Sequence, residues 1–124
     1  MIGNLVTADL ARLLGSLRAR GGTASEAAQV LQTTLVVVVV APGERWLAEP
    51  VADERLVVVL DGLGTIIVDD WRATLGPGLA AGVPAKRPLT AIADTGPLEL
   101  LVITPASSDS PQPLSAPAPA GSPT

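Results

Sequence analysis

The spacing of apolar and polar positions changes period along the chain. Leu10, Leu13, Leu14 and Leu17 follow the i, i+3, i+4, i+7 spacing of a single buried helix face, so residues 7–20 read as an amphipathic helix. Thr7 can cap its first turn, and Asp9 suits the positive end of the helix dipole. Arg18 and Arg20 suit the negative end, and Gly21-Gly22 stop the helix. A second short helical piece is predicted over residues 25–31, capped by Thr23 or Ser25. From residue 33 the helical period is gone. Residues 33–41 include five consecutive valines, Val36 to Val40, and branching at Cβ favours a pleated strand. A strand apolar on both sides must be covered on both, here by a barrel interior on one side and a helix or a partner subunit on the other.

Further strands are predicted over residues 55–60, 65–68, 71–75, 79–83, 89–93 and 98–103. Turn signals separate them: Pro42-Gly43, Asp61-Gly62, Asp69-Asp70, Gly76-Pro77-Gly78 and Thr95-Gly96-Pro97. Many short strands at such intervals argue for an antiparallel sandwich or barrel. From residue 105 onward the chain is mostly Pro, Ala and Ser, with Asp109 as its one charge. Such a stretch buries too little apolar surface to offset chain entropy, and reads as a disordered tail. The expected organisation is a helical segment over residues 1–32 packed on a barrel, the barrel itself over 33–104, and the tail over 105–124.

Composition narrows the chemistry. Apolar residues make up 48% of the 124 positions but aromatics only 2%, so the core must be filled by Val, Leu, Ile and Ala. A net charge of −4 without a basic face excludes a nucleic-acid footprint. The chain has no Cys, which removes disulfides, iron–sulfur ligation and a thiol nucleophile, and fits a cytoplasmic location. It has no His either, which excludes a Ser–His–acid triad. The longest strongly apolar run, residues 35–41, is far short of the ~20 residues that a spanning helix needs, so no membrane role is expected. Asp9 and Arg12 interrupt the layout of a secretory leader.

One spacing stands out. Gly43, Glu49, Val51, Arg55 and Gly62 follow the intervals Gly, five residues, His-x-His, three residues, Glu, six residues, Gly. Gly78, Pro84, Lys86, Leu89 and Ala93 follow Gly, five residues, Pro-x-Gly, two residues, His, three residues, Asn. In that order and with strands between, residues 33–104 resemble a small single-domain cupin, the antiparallel jelly-roll β-barrel. The resemblance implies a mainly β fold with a short N-terminal helical segment. In the family, three His and one Glu hold a divalent metal inside the barrel. Here those four positions carry Glu49, Val51, Arg55 and Leu89, so the resemblance is to a degenerate member whose ligands are absent, and no metal or other cofactor is expected. Gly43, Gly62, Gly78 and Pro84 keep the turns.

Other features leave more than one reading. Glu49 and Arg55 either pair inside the barrel mouth or lie solvated at its rim. Trp46, Lys86 and Arg87 either line that mouth for a small, anionic or apolar ligand or are ordinary core and loop residues. Gly62-Leu63-Gly64 begins like a dinucleotide loop, but residue 67 is Ile and no helix is expected to follow, so a turn is the better reading. Asp61, Asp69 and Asp70 are too few and wrongly spaced for a calcium loop. The expected function is a metal-free, non-catalytic cupin domain that binds a small molecule or acts as a protein-interaction or regulatory module, self-associating as a homodimer. A metal-independent isomerase or lyase would have to use Glu49, Asp53, Glu54 or Lys86 as acid or base. A structural scaffold or cargo component is the third class. Residues 14–18 faintly resemble the peptides that tether cargo to encapsulin shells, though they lie within the helix pattern.

Overall fold

The computed structural model of the protein describes residues 9–105. Helix α1 spans Leu10–Arg20, followed by β1 (Ala24–Val30), β2 (Thr33–Val40), β3 (Arg45–Ala48), β4 (Arg55–Asp61), β5 (Gly64–Val68), β6 (Trp71–Leu75), β7 (Ala80–Val83), β8 (Leu89–Ala93) and β9 (Leu98–Thr104). The cap is Asp9, whose Oδ1 accepts from the Arg12 amide at 3.0 Å. Thr7, the expected cap, and the tail beyond Pro105 lie outside the described residues. Gly21, at φ 73°, ends the helix, and its amide donates to the Arg18 carbonyl.

The strands form two antiparallel sheets, one in the order β1-β2-β9-β4-β7 and the other β3-β8-β5-β6. Their facing sides enclose one aliphatic core that includes Val38, Val40, Val57, Val59, Ile66, Leu89, Leu98 and Leu100. This is the antiparallel two-sheet arrangement that the strand spacing predicts, with the jelly-roll form that the resemblance implies. The valine strand is covered on both sides. Val38 and Val40 face the inter-sheet core, while Val37 and Val39 lie under Leu14 and Leu17 of α1. The helix thus supplies the outer cover, and this strand needs no partner subunit.

Two elements differ from expectation. Residues 24–30 form β1, not a second helical piece, and pair with β2 from Ala24↔Val39 to Val30↔Thr33. Their side chains alternate between half-buried and exposed, as on an edge strand. Helix propensity in this Ala-rich stretch yields to the ladder offered by β2. The connecting turn is only Leu31-Gln32, with Leu31 at φ 58°. Strand β3, only four residues long, pairs with β8 and closes the second sheet.

Arg18 fastens the helix to the sheet. Its Nε and Nη2 donate to Oε2 and Oε1 of Glu99 at 2.5 and 2.6 Å, a bidentate pair between α1 and β9. The Glu99 side chain is only 7% exposed, so the Arg18 fork supplies hydrogen bonds that water would otherwise make.

Candidate functional site

The spacing identified in the sequence converges at one end of the barrel. Arg55 opens β4 opposite Val83, the last residue of β7. Its neighbours along the strand, Val57 and Val59, are fully buried, and Arg55 shares their face at 5% exposure. The guanidinium reaches back to the loops on either side. Nη1 donates to the carbonyl of Glu49 at 3.0 Å and Nη2 to the carbonyl of Arg87 at 2.6 Å. Nε is buried and makes no hydrogen bond. Burial pushes the Arg55 pKa below its ordinary value, yet an arginine stays charged. The cation is therefore held by peptide carbonyls, and Glu49 contributes its backbone, not its carboxylate. Of the two readings of Glu49 and Arg55, the ion pair is not made: the Glu49 side chain is exposed while Arg55 is buried.

The same two loops are joined again by the Lys86 amide, which donates to the Val51 carbonyl at 2.7 Å. Lys86 adopts φ 66°. It occupies the Gly position of the second motif's Pro-x-Gly, and it keeps the left-handed backbone that glycine normally supplies there. Arg87 in turn pairs with Asp69 at 2.9 Å, tying the loop to the β5–β6 hairpin. Leu89, at a former ligand position, is fully buried in the core, and Val51 is half-buried. At the other end of the motifs, the Gly43 amide donates to the Ala93 carbonyl at 3.1 Å, so the first Gly of one motif meets the last position of the other. Gly43, Gly62 and Gly78 all have positive φ. A Cβ at Gly62 would run into the carbonyl oxygen of Pro97.

Of the expected mouth residues, Trp46 packs against the barrel core, while Lys86 and Arg87 are exposed. Asp69 and the three accepting carbonyls were missed by sequence reasoning, because a backbone acceptor leaves no residue-type signature.

The donor set does not fit a cupin metal. Val51 and Leu89 have no ligand atom, Arg55 places a cation where a carboxylate would be, and among the described residues no group of three or more His, Cys, Asp or Glu could hold an ion. The barrel interior is occupied by Val57, Val59, Leu89 and Leu100, all fully buried. The acid–base candidates Glu49, Glu54 and Lys86 are exposed and Asp53 is half-buried. A cavity of about 530 Å³ lies beside the mouth, lined by Glu54, Leu56, Gly82, Pro84, Ile103 and Pro105 among others.

No family model and no curated protein matches the sequence. Solved structures do match. A cupin superfamily protein from Desulfitobacterium hafniense is 29% identical, with TM-score 0.59 over 70% of this chain and 80% of its own. The Cupin_2 domain of an XRE family transcriptional regulator from Enterobacter cloacae is 17% identical, with TM-score 0.60 over 67% of this chain and 95% of its own. The DMSP lyase DddQ from Ruegeria pomeroyi is 16% identical, with TM-score 0.63 over 72% of this chain and 49% of its own. Among the described residues no helix is long and apolar enough to cross a membrane.

Proposed function

We propose that this chain, which has the cupin jelly-roll fold, is a metal-free, non-catalytic domain that works as a protein-interaction or regulatory module. The observation that carries the reading is that Arg55 is engaged by the carbonyls of Glu49 and Arg87 and Leu89 is buried in the core, at two of the positions where the resemblance implies metal ligands. With Val57, Val59 and Leu100 also filling the interior, a partner would be met by the outer surface. The Cupin_2 domain of the XRE family transcriptional regulator from Enterobacter cloacae supports the regulatory reading by analogy of fold. Self-association as a homodimer and a cytoplasmic location belong to the same proposal. With Val37 and Val39 under α1, the dimer would use other exposed apolar side chains, such as Leu47 and Leu79.

Native mass spectrometry of the protein as isolated tests this reading. The expected masses are those of the bare chain, its dimer or a complex with another protein. A retained organic molecule at one per chain would overturn it in favour of a small-molecule carrier or enzyme.

A further inference from the structure

Each sheet ends in two edge strands: β1 and β7 in the first, β3 and β6 in the second. Proteins commonly guard such edges with charge. Strand β1 carries Glu26, β3 carries Arg45 and β6 carries Arg72, but β7 is Ala80-Ala81-Gly82-Val83 and carries none. The Val59 amide donates to the Leu79 carbonyl at 2.9 Å, which sets the phase of the β4–β7 ladder. Ala81, opposite Val57, and Val83, opposite Arg55, therefore bond back to β4. Ala80 and Gly82 turn their amides and carbonyls to the open side, and they are also the exposed residues of β7.

Two cavities meet at this edge. The lining of one, about 530 Å³, includes Leu56, Val83 and Ile103, and that of the other, about 430 Å³, includes Val68 and Trp71. Gly82 and Pro84 line both. A Cβ at Gly82 would meet nothing within 4 Å, so the space over the strand is open. Of the acids lining the cavities, Asp69 pairs with Arg87, whereas the exposed Glu54 and Asp70 make no ion pair among the described residues.

We propose that β7 takes up an extended segment of a partner protein as a further strand, one with two adjacent large apolar residues beside a Lys or Arg. The inference rests on the interaction-module reading above and names the chemistry of the partner. Main-chain bonds to Ala80 and Gly82 supply the grip, and the side chains supply the choice. A side chain opposite Gly82 lies over the missing Cβ and into the first cavity. Its neighbour in the segment points to the other face, toward Val68 and Trp71. The basic residue meets Glu54 or Asp70. A second copy fits poorly: its own β7 would set Ala and Gly against Ala and Gly, leave both cavities empty and bring like acids together.

A phage-displayed library of random heptapeptides, panned on the full chain, tests the proposal. The enriched sequences should carry adjacent large apolar residues and a Lys or Arg. The best of them, made as a free peptide, should shift the proton–nitrogen signals of Ala80 and Gly82 and slow exchange of those two amides. Methylating the peptide nitrogens that donate to β7 should weaken binding by about tenfold or more. Glu54→Lys combined with Asp70→Lys should weaken it by about tenfold while the fold is kept, since both side chains are exposed. No enriched sequence, an acidic consensus, or signals that move at β1 or on the four-stranded sheet instead would each overturn the inference. So would full affinity after methylation or after the charge reversal. Protection of Ala80 and Gly82 in the free chain that is lost on dilution would overturn it too, because it means a second copy. Native mass spectrometry of the same chain reads the interaction-module proposal separately.

Discussion

The Arg55 guanidinium donates to the Arg87 carbonyl at 2.6 Å across the mouth of the barrel. The resemblance noted in the sequence sets position 55 where a cupin carries a metal-binding carboxylate, and position 87 in the loop before Leu89, which it sets where a cupin carries a metal-binding imidazole. Two loops that a metal would draw together are here laced by a cation and peptide oxygens.

Arg55→Ala should therefore destabilise the fold by about 3 kcal/mol, since it removes two charge-assisted bonds and leaves two carbonyls unpaired. Glu49→Ala should change stability by less than about 0.5 kcal/mol, because the bond is to its backbone. Chemical denaturation of the two variants checks the contrast. Equal losses would mean that the carboxylate matters after all.

Arg18→Ala should lower the melting temperature more than Arg20→Ala. Arg18 satisfies a Glu99 side chain that is 7% exposed, whereas the Glu26 side chain paired with Arg20 is 36% exposed. The bond to Glu99, with its charge, raises the Arg18 pKa above the ordinary arginine value. This contribution is complete below the unfolded value and is lost only as pH rises through the raised one. Melting curves between about pH 6 and about pH 9 should show no loss attributable to Arg18.

Lys86→Gly should stabilise the protein by about 0.5–1 kcal/mol, because glycine adopts the left-handed backbone of position 86 without a Cβ penalty. A loss on denaturation would mean that the Lys86 side chain contributes more than its backbone strain costs.

Gly62→Ala and Gly43→Ala separate two kinds of cost. Both have positive φ, but a Cβ at Gly43 meets nothing within 4 Å while one at Gly62 collides with the Pro97 carbonyl. Gly43→Ala should cost about 1–2 kcal/mol, and Gly62→Ala more than about 3 kcal/mol. Thermal melts of the pair check the order.

Much of this fold was legible in the sequence. The leucine stripe marks α1, the valine run marks β2, and Gly-containing turns bound most later strands. Residues 24–30 misled because Ala, Glu and Gln are helix formers and the turn at Leu31-Gln32 carries no Gly, Asn or Asp to announce a hairpin. Strand β3 is too short to show a period. The spacing picked out Gly43, Gly62 and Gly78, and all three adopt the positive φ that a turn glycine supplies. It could not tell that the Glu49 side chain turns outward, because residues 49–54 form a loop in which strand alternation does not apply. Arg18 and Glu99 lie 81 positions apart, and only the fold brings them together.

Elemental analysis after exposure of the purified chain to iron(II), manganese(II), nickel(II) and zinc(II), followed by desalting, tests the central claim most directly. A barrel closed by Arg55 and filled by Leu89 should retain no ion in stoichiometric amount. One ion held per chain, and released by Glu49→Ala, would contradict it.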